Sequence, residues 1–157
     1  MIRQEIIAAI RALPDTVEPL LDDLSDDQIR LRPRAGEWSI IEVCCHLRDF
    51  AEIEGLRVQR LASEDDPTLE PYDQDALASE RGYQGDDING VRLALRTFWD
   101  GLANALENLS EEDWRRSGHH PEQGRVTIAS RAQLSADHAR MHIEQIRDLR
   151  APAAPGR

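Results

Sequence analysis

The chain has 157 residues, with 30 acidic side chains against 19 basic ones and a formal net charge of −11. Such a surface repels phosphate backbones and anionic lipid, so neither nucleic acid nor a membrane is expected as a partner. All 19 cations are arginine, which removes lysine Schiff-base chemistry and the Walker phosphate loop.

The first helical segment runs from about residue 2 to residue 23. Ile6, Ile10, Leu13, Val17, Leu20 and Leu24 alternate at spacings of four and three and share one face. Pro14 and Pro19 each remove a backbone donor, so a kink or break is expected there. Charges inside the apolar N-terminal stretch argue against a signal peptide or membrane anchor. Ser25-Asp26-Asp27-Gln28 reads as a short extra turn, and residues 30–36 (RLRPRAG) as a connection.

The second helix opens at Ser39-Ile40-Ile41-Glu42, a capping box, and runs to about Ser63. Trp38 just before it reads as a staple on the first turn. Ile40, Val43, Cys44, Leu47, Phe50, Ala51 and Leu61 are its apolar positions. The third helix, from about Asp87 to Leu109, carries Ile88, Val91, Leu95, Phe98, Leu102, Ala105 and Leu109 in a three-four repeat of the bundle-forming kind. The fourth begins with Thr127 as cap and runs to about Leu149, with Ile128, Leu134, Met141, Ile146 and Leu149 apolar.

Two connections are long. Residues 64–86 are acidic and proline-rich, and a short helix is expected within them near Asp73–Glu80. Residues 110–126 hold the His119-His120 pair. No strand alternation is evident. The expected architecture is all-α, a four-helix bundle with two long connections. It forms one domain over residues 1–150, with a flexible tail at 151–157. Adjacent Cys44 and Cys45 do not make a disulfide framework, which suggests a reduced, cytoplasmic protein.

His138 and His142 lie one turn apart on the fourth helix, where both imidazoles can reach a single ion. The stripe Leu134, His138, His142, Gln145 and Leu149 is expected to face inward. His46 lies on the inward side of the second helix and can supply a third nitrogen. Three neutral ligands leave a coordination position open, the pattern of a reactive site. A hydrogen-bonded core histidine satisfies the same burial. Glu42 and Asp49 each lie one turn from His46 and can orient its ring, although Glu42 also closes the capping box and Asp49 also reads as an exposed charge. Gln145 can orient His142 in the same way. Cys44 and Cys45 read as small buried residues, with a thiolate ligand as the alternative. His120 and Tyr83, on the long connections, are candidates for a proton donor or a substrate contact. Arg34 and Arg125 are candidates to pair a substrate carboxylate.

The run GEWSIIEVCCHLRDFAE, from Gly36 to Glu52, resembles the Trp-Ser…Glu-Val…His-Leu…Asp signature of the DinB/YfiT-like superfamily. His120-Pro121-Glu122-Gln123-Gly124-Arg125-Val126-Thr127, the His138…His142…Gln145-Ile146 pattern, Asp73-Gln74-Asp75 and Gly82-Tyr83 extend the likeness over nearly the whole chain. The resemblance implies a four-helix bundle holding one divalent metal, zinc or nickel, on three histidines that match His46, His138 and His142. It further implies a thiol-dependent S-transferase acting on a low-molecular-weight thiol and an electrophile. A hydrolase with a metal-activated water and a non-catalytic metal-binding stress-response module are the alternatives. Relatives of this type are frequently homodimers.

Overall fold

A computed structural model describes residues 1–150; the tail expected at 151–157 lies outside the described residues. Its elements in chain order are α1 (Arg3–Leu21), α2 (Asp26–Arg30), α3 (Ile40–Ser63), α4 (Gln74–Glu80) and a 3-10 turn (Tyr83–Gly85). These are followed by α5 (Ile88–Asn108), α6 (Glu111–Trp114), β1 (Ser117–His120), β2 (Gly124–Thr127) and α7 (Ile128–Arg150). The four long helices form the bundle. α1 packs along α5 and α7, and α3 packs along the same two. The helices α1 and α3 therefore sit across a diagonal, which is why a long connection must join them.

The helix starts follow from local chemistry. Ser25 accepts from the Gln28 N–H at 3.1 Å, and the Gln28 side chain returns to the Ser25 N–H at 2.8 Å. Asp73 caps α4 through the Asp75 and Ala76 N–H groups, at 2.9 and 3.0 Å. Thr127 and Ser130 cap each other at the start of α7. Arginines close several C-terminal ends. Arg3 donates to the carbonyls of Leu106, Glu107 and Leu109 at the end of α5, and Arg150 to that of Leu20 at the end of α1.

Three expectations need correction. First, α1 runs unbroken through Pro14 and Pro19. Each proline forfeits one backbone bond, while Leu13, Pro14, Val17 and Leu21 are buried along one face, and that packing outweighs the local loss. Second, of the stripe Leu134, His138, His142, Gln145 and Leu149 expected to face inward on α7, only His142 is fully buried and the rest are half-buried, so this is the border rather than the centre of the buried face. That face comprises Ile128, Ala132, Ser135, Ala136, Ala139, His142 and Ile146, while Met141 is 54% exposed. Small side chains let α7 approach its neighbours closely. On α5, Trp99 and Leu106 are fully buried in place of Ala105, and the Trp99 indole donates to the Leu47 carbonyl at 2.9 Å.

Third, β1 and β2 form an antiparallel hairpin, pairing His120 with Gly124 and Ser117 with Thr127. Gly124 closes the three-residue turn at φ +77°, a conformation glycine adopts freely. The His120 Nδ1 accepts the Glu122 and Gln123 N–H groups at 3.1 and 3.2 Å, and so holds that turn. The hairpin docks on the segment after α3, with the Leu69 N–H donating to the His119 carbonyl and the His119 N–H to the Pro67 carbonyl, both at 2.8 Å. A Cβ on Gly118 would lie 2.5 Å from the Pro67 oxygen, so only glycine permits this approach.

Candidate functional site

Helix α3 is buried on nearly all sides from Ile40 to Ala51, and this places His46 in the seam it shares with α7. His138 and His142 meet it there. Nitrogens of the three rings all lie within 4.8 Å of one another, and His46 Nε2 stands 3.1 Å from His138 Nε2. Two nitrogens bound tetrahedrally to one ion, each about 2.0–2.1 Å from it, stand about 3.3 Å apart. His142 Nδ1–H donates to Gln145 Oε1 at 2.7 Å, which leaves the lone pair on Nε2. That Nε2 is buried and has no hydrogen-bond partner among the described residues. A buried, unpaired acceptor aimed at two other imidazole nitrogens fits a metal ion, and the donor set suits zinc or nickel.

Aromatic packing fixes the rings. Phe50 stacks on His138 with centroids 4.2 Å apart and planes 12° from parallel, and Trp99 backs Phe50 at 5.9 Å. Trp38 lies 5.1 Å from the His46 ring, so it covers an imidazole two turns into the helix rather than the first turn alone. Phe50, Trp38 and Trp99 are the site residues that sequence reasoning did not assign to it. Phe50 at i+4 from His46 was the available signal.

Burial and the neighbouring rings push the His46 imidazole down to about 3. Burial, His142 and Arg131 push His138 down to about 4, and burial lowers His142. All three are therefore neutral at neutral pH, the form in which a nitrogen can donate to a metal. In metal-chelating buffer the unfolded chain takes up protons near its ordinary value of 6.5 that the native triad refuses. Stability is therefore expected to be full above that pH and to fall as pH drops toward 4, the native value of His138. Urea midpoints should be lower at pH 5 than at pH 7.5; equal midpoints would contradict this.

Neither carboxylate proposed to orient His46 touches it. Glu42 caps Ser39 at 3.0 Å and pairs with Arg32 at 2.8 Å. Asp49 is buried rather than exposed. It accepts from the Tyr83 hydroxyl and pairs with Arg48 at 2.9 Å and Arg81 at 3.1 Å. Tyr83 is only 1% exposed, and burial together with its bond to Asp49 raises its hydroxyl well above the usual phenol range. It is a structural tie, not a proton donor at a site mouth. Cys44 and Cys45 are buried and lie outside the triad. Burial pushes the Cys44 thiol up to about 12, and Cys45 Sγ faces the Tyr83 carbonyl. Arg34 and Arg125 are largely exposed, at 82% and 72% of their side chains, away from the triad.

Three cavities border the three rings. One, of about 510 Å³, has His142, Gln145, Trp38 and Leu149 in its wall. A second, of about 260 Å³, has His138, Phe50, Arg57, His120, Tyr72 and Arg131, and a third, of about 330 Å³, has His138, Leu134, Asp137 and Met141. Gln74 borders the first two. His120 thus lies on the His138 side, joined to the site by the second cavity.

Fold and site together define a four-helix bundle with a three-histidine cleft between two adjacent helices. The chain belongs to the DinB superfamily, whose family model matches residues 9–146. Among its relatives is a Geobacillus kaustophilus protein named "Putative metal-dependent hydrolase GK0616", 31% identical over 149 residues, covering 94% of this chain and 83% of the relative. A protein of the same descriptive name from Oceanobacillus iheyensis is 29% identical, over 95% of this chain and 86% of its own length. Among solved structures, YfiT from Bacillus subtilis, described as a probable metal-dependent hydrolase with an unusual four-helix bundle topology, superposes with a TM-score of 0.87. It is 22% identical, with 94% of this chain and 85% of YfiT covered. A mycothiol-dependent maleylpyruvate isomerase shares the fold at a TM-score of 0.75 and 11% identity, over 93% of this chain and 61% of its own. Among the described residues, no helix is long and apolar enough to cross a membrane.

Proposed function

We propose that this protein is a metal-dependent S-transferase. In this reading His46, His138 and His142 hold a divalent ion, zinc or nickel. A low-molecular-weight thiol enters one of these cavities and an electrophile another. When bound, the metal supplies a Lewis-acidic centre that favours the deprotonated form of a coordinating thiol at neutral pH. His142 contributes the unpaired Nε2, and Gln145 holds its tautomer and ring plane. Phe50 and Trp38 hold the other rings in place and keep water from their faces. Transfer joins the thiol sulfur to an electrophilic carbon; the sulfur's proton goes to solvent, and the leaving group departs with its bonding electrons.

The observation that supports this reading is open space on both sides of the triad, one cavity against His142 and two against His138. Group transfer needs room for two organic substrates, and these cavities provide it on both sides of the imidazoles. Hydrolysis is the second reading, favoured by the relatives' names. The test is incubation of the purified protein with a panel of bacterial thiols and monochlorobimane. A fluorescent adduct with at least one thiol, lost on chelation and regained with metal, is expected. Stoichiometric metal with no adduct from any thiol would overturn the transferase, leaving ester hydrolysis or a non-catalytic module. Replacing Gln145 by Leu, which frees the His142 tautomer, is expected to weaken metal affinity by about 10–100-fold, measured by chelator competition.

A further inference from the structure

The cavity lined by both His138 and His120 carries a charge arrangement that the metal site does not use. Glu54, Arg57 and Arg131 line it and are 1%, 7% and 3% exposed. Arg131 grips Glu54 through Nε at 3.0 Å and through Nη2, and Arg57 Nη1 donates to the same carboxylate at 2.9 Å. Two guanidiniums thus share one carboxylate, which leaves one surplus positive charge buried in the wall. A buried cation without a counter-charge is costly. Arg131 also donates to Gln123 Oε1 at 2.7 Å, and Arg57 to the Glu70 carbonyl at 2.6 Å. Arg57 so uses two of its five N–H groups on protein partners and keeps three.

His120 supplies a second donor. Its Nδ1 accepts two turn N–H groups, so the ring proton is fixed on Nε2. Nε2 has no partner among the described residues, and His120 lines the cavity. Burial, then Arg57 and Arg131, lower its basicity, and the ring stays a neutral donor. Phe50, Leu134 and Tyr72 give the same cavity an apolar wall. Glu122 stands at its exposed rim, where water screens it.

We infer that this cavity is the pocket for a substrate carboxylate, received by the Arg57 guanidinium and the His120 Nε2–H, with the rest of that substrate directed toward the triad. One surplus positive charge matches one carboxylate. A phosphate dianion would set two charges on one group against that single surplus cation, whereas a dicarboxylate places only one of its carboxylates in the pocket. Arg131 and Glu54 are positioning residues here, since they hold the Arg57 fork. The inference rests on the transferase reading for what the substrate does next, but not for its binding.

The test is calorimetric titration of the full-length protein, as purified, with succinate. Saturable binding is expected, weakened at least tenfold in both Arg57→Gln and His120→Asn. The asparagine keeps an acceptor for the turn near the place of Nδ1 and lacks the Nε2 donor, so it guards against simple misfolding of the arginine variant. Binding is expected to persist in His142→Ala, which separates the pocket from the triad. No saturable binding, or binding unchanged in both variants, would overturn the inference. Succinate binding without thiol turnover would leave the pocket standing and remove the transferase. With monochlorobimane as acceptor, a KM for cysteine at least tenfold below that for cysteamine, lost in Arg57→Gln, would place the carboxylate on the thiol. Equal KM values beside succinate binding that needs both side chains would place it on the acceptor.

Discussion

Replacement of His142 by alanine is expected to yield a folded protein that retains neither stoichiometric metal nor thiol transfer. Bound metal should drop from one ion per chain to less than a tenth of that, measured by elemental analysis, and turnover should fall by more than about 100-fold, beyond what loss of an outer partner costs. A mere core histidine would give the opposite pattern. In that case both ring nitrogens would be satisfied, and their removal would destabilise the fold. Here Nε2 has no partner among the described residues, so the substitution forfeits only the half-buried Nδ1–Gln145 hydrogen bond. In chelator-treated samples the variant should stay within about 1–2 kcal/mol of wild type. The difference between the two should grow only when metal is added, because ligand stabilises the wild type by mass action. Wild type that purifies without metal and binds none, or a variant that keeps a full complement, would end the metal-site reading.

The largest stability effect is expected at Glu54. Its carboxylate is the common acceptor of Arg57 and Arg131, and all three side chains are buried. In Glu54→Ala two guanidiniums remain in the interior with no anion between them. Removing one partner of a buried charge pair costs about 3–5 kcal/mol. Because the change strands two cations, the upper part of that range is expected, lowering Tm by about 10 °C or more for a domain of this size. Glu54→Gln keeps the acceptor oxygen but not the charge, and should recover part of the loss. Urea denaturation of the three proteins measures it; a Glu54→Ala midpoint equal to wild type would show that water or ions reach the pair freely. The same substitution should leave metal content unchanged, since Glu54 touches none of the three imidazoles.

Much of the bundle was legible because its signals are local. The Ser39–Glu42 box, the Asp73 cap and the Thr127 cap mark helix starts within a few residues of where α3, α4 and α7 begin. The chelating spacing of His138 and His142 was legible in the helix period, and His46 was a candidate third nitrogen by its inward face, while the full triad was what the family resemblance implied. What escaped was set by partners distant in sequence. β1 and β2 are four residues each, too short for alternation to register, and the hairpin takes its place from Pro67 and Leu69. Asp49 is a buried acceptor because Tyr83, Arg48 and Arg81 converge on it, and nothing within one turn of His46 announces that. Glu54 and Arg131 stand 77 positions apart, so their pairing has no local signature. Trp99 replaced a neighbouring position in the expected stripe because α5 is contacted from two sides, which widens its buried arc beyond one heptad seam.

The order of ligands along the chain also governs when the cleft can come into existence. One imidazole is delivered by α3, but the other two arrive on α7, the last long helix, which must seat between α1 and α3. A chain not yet extended through α7 offers His46 alone at this seam, because His119 and His120 alternate to opposite faces of β1. It has no chelating pair with which to seize whatever cation is at hand. In the metal-binding reading, choice of ion is thereby deferred until synthesis has passed residue 142, so the assembled bundle, rather than a half-made chain on the ribosome, decides which ion is kept.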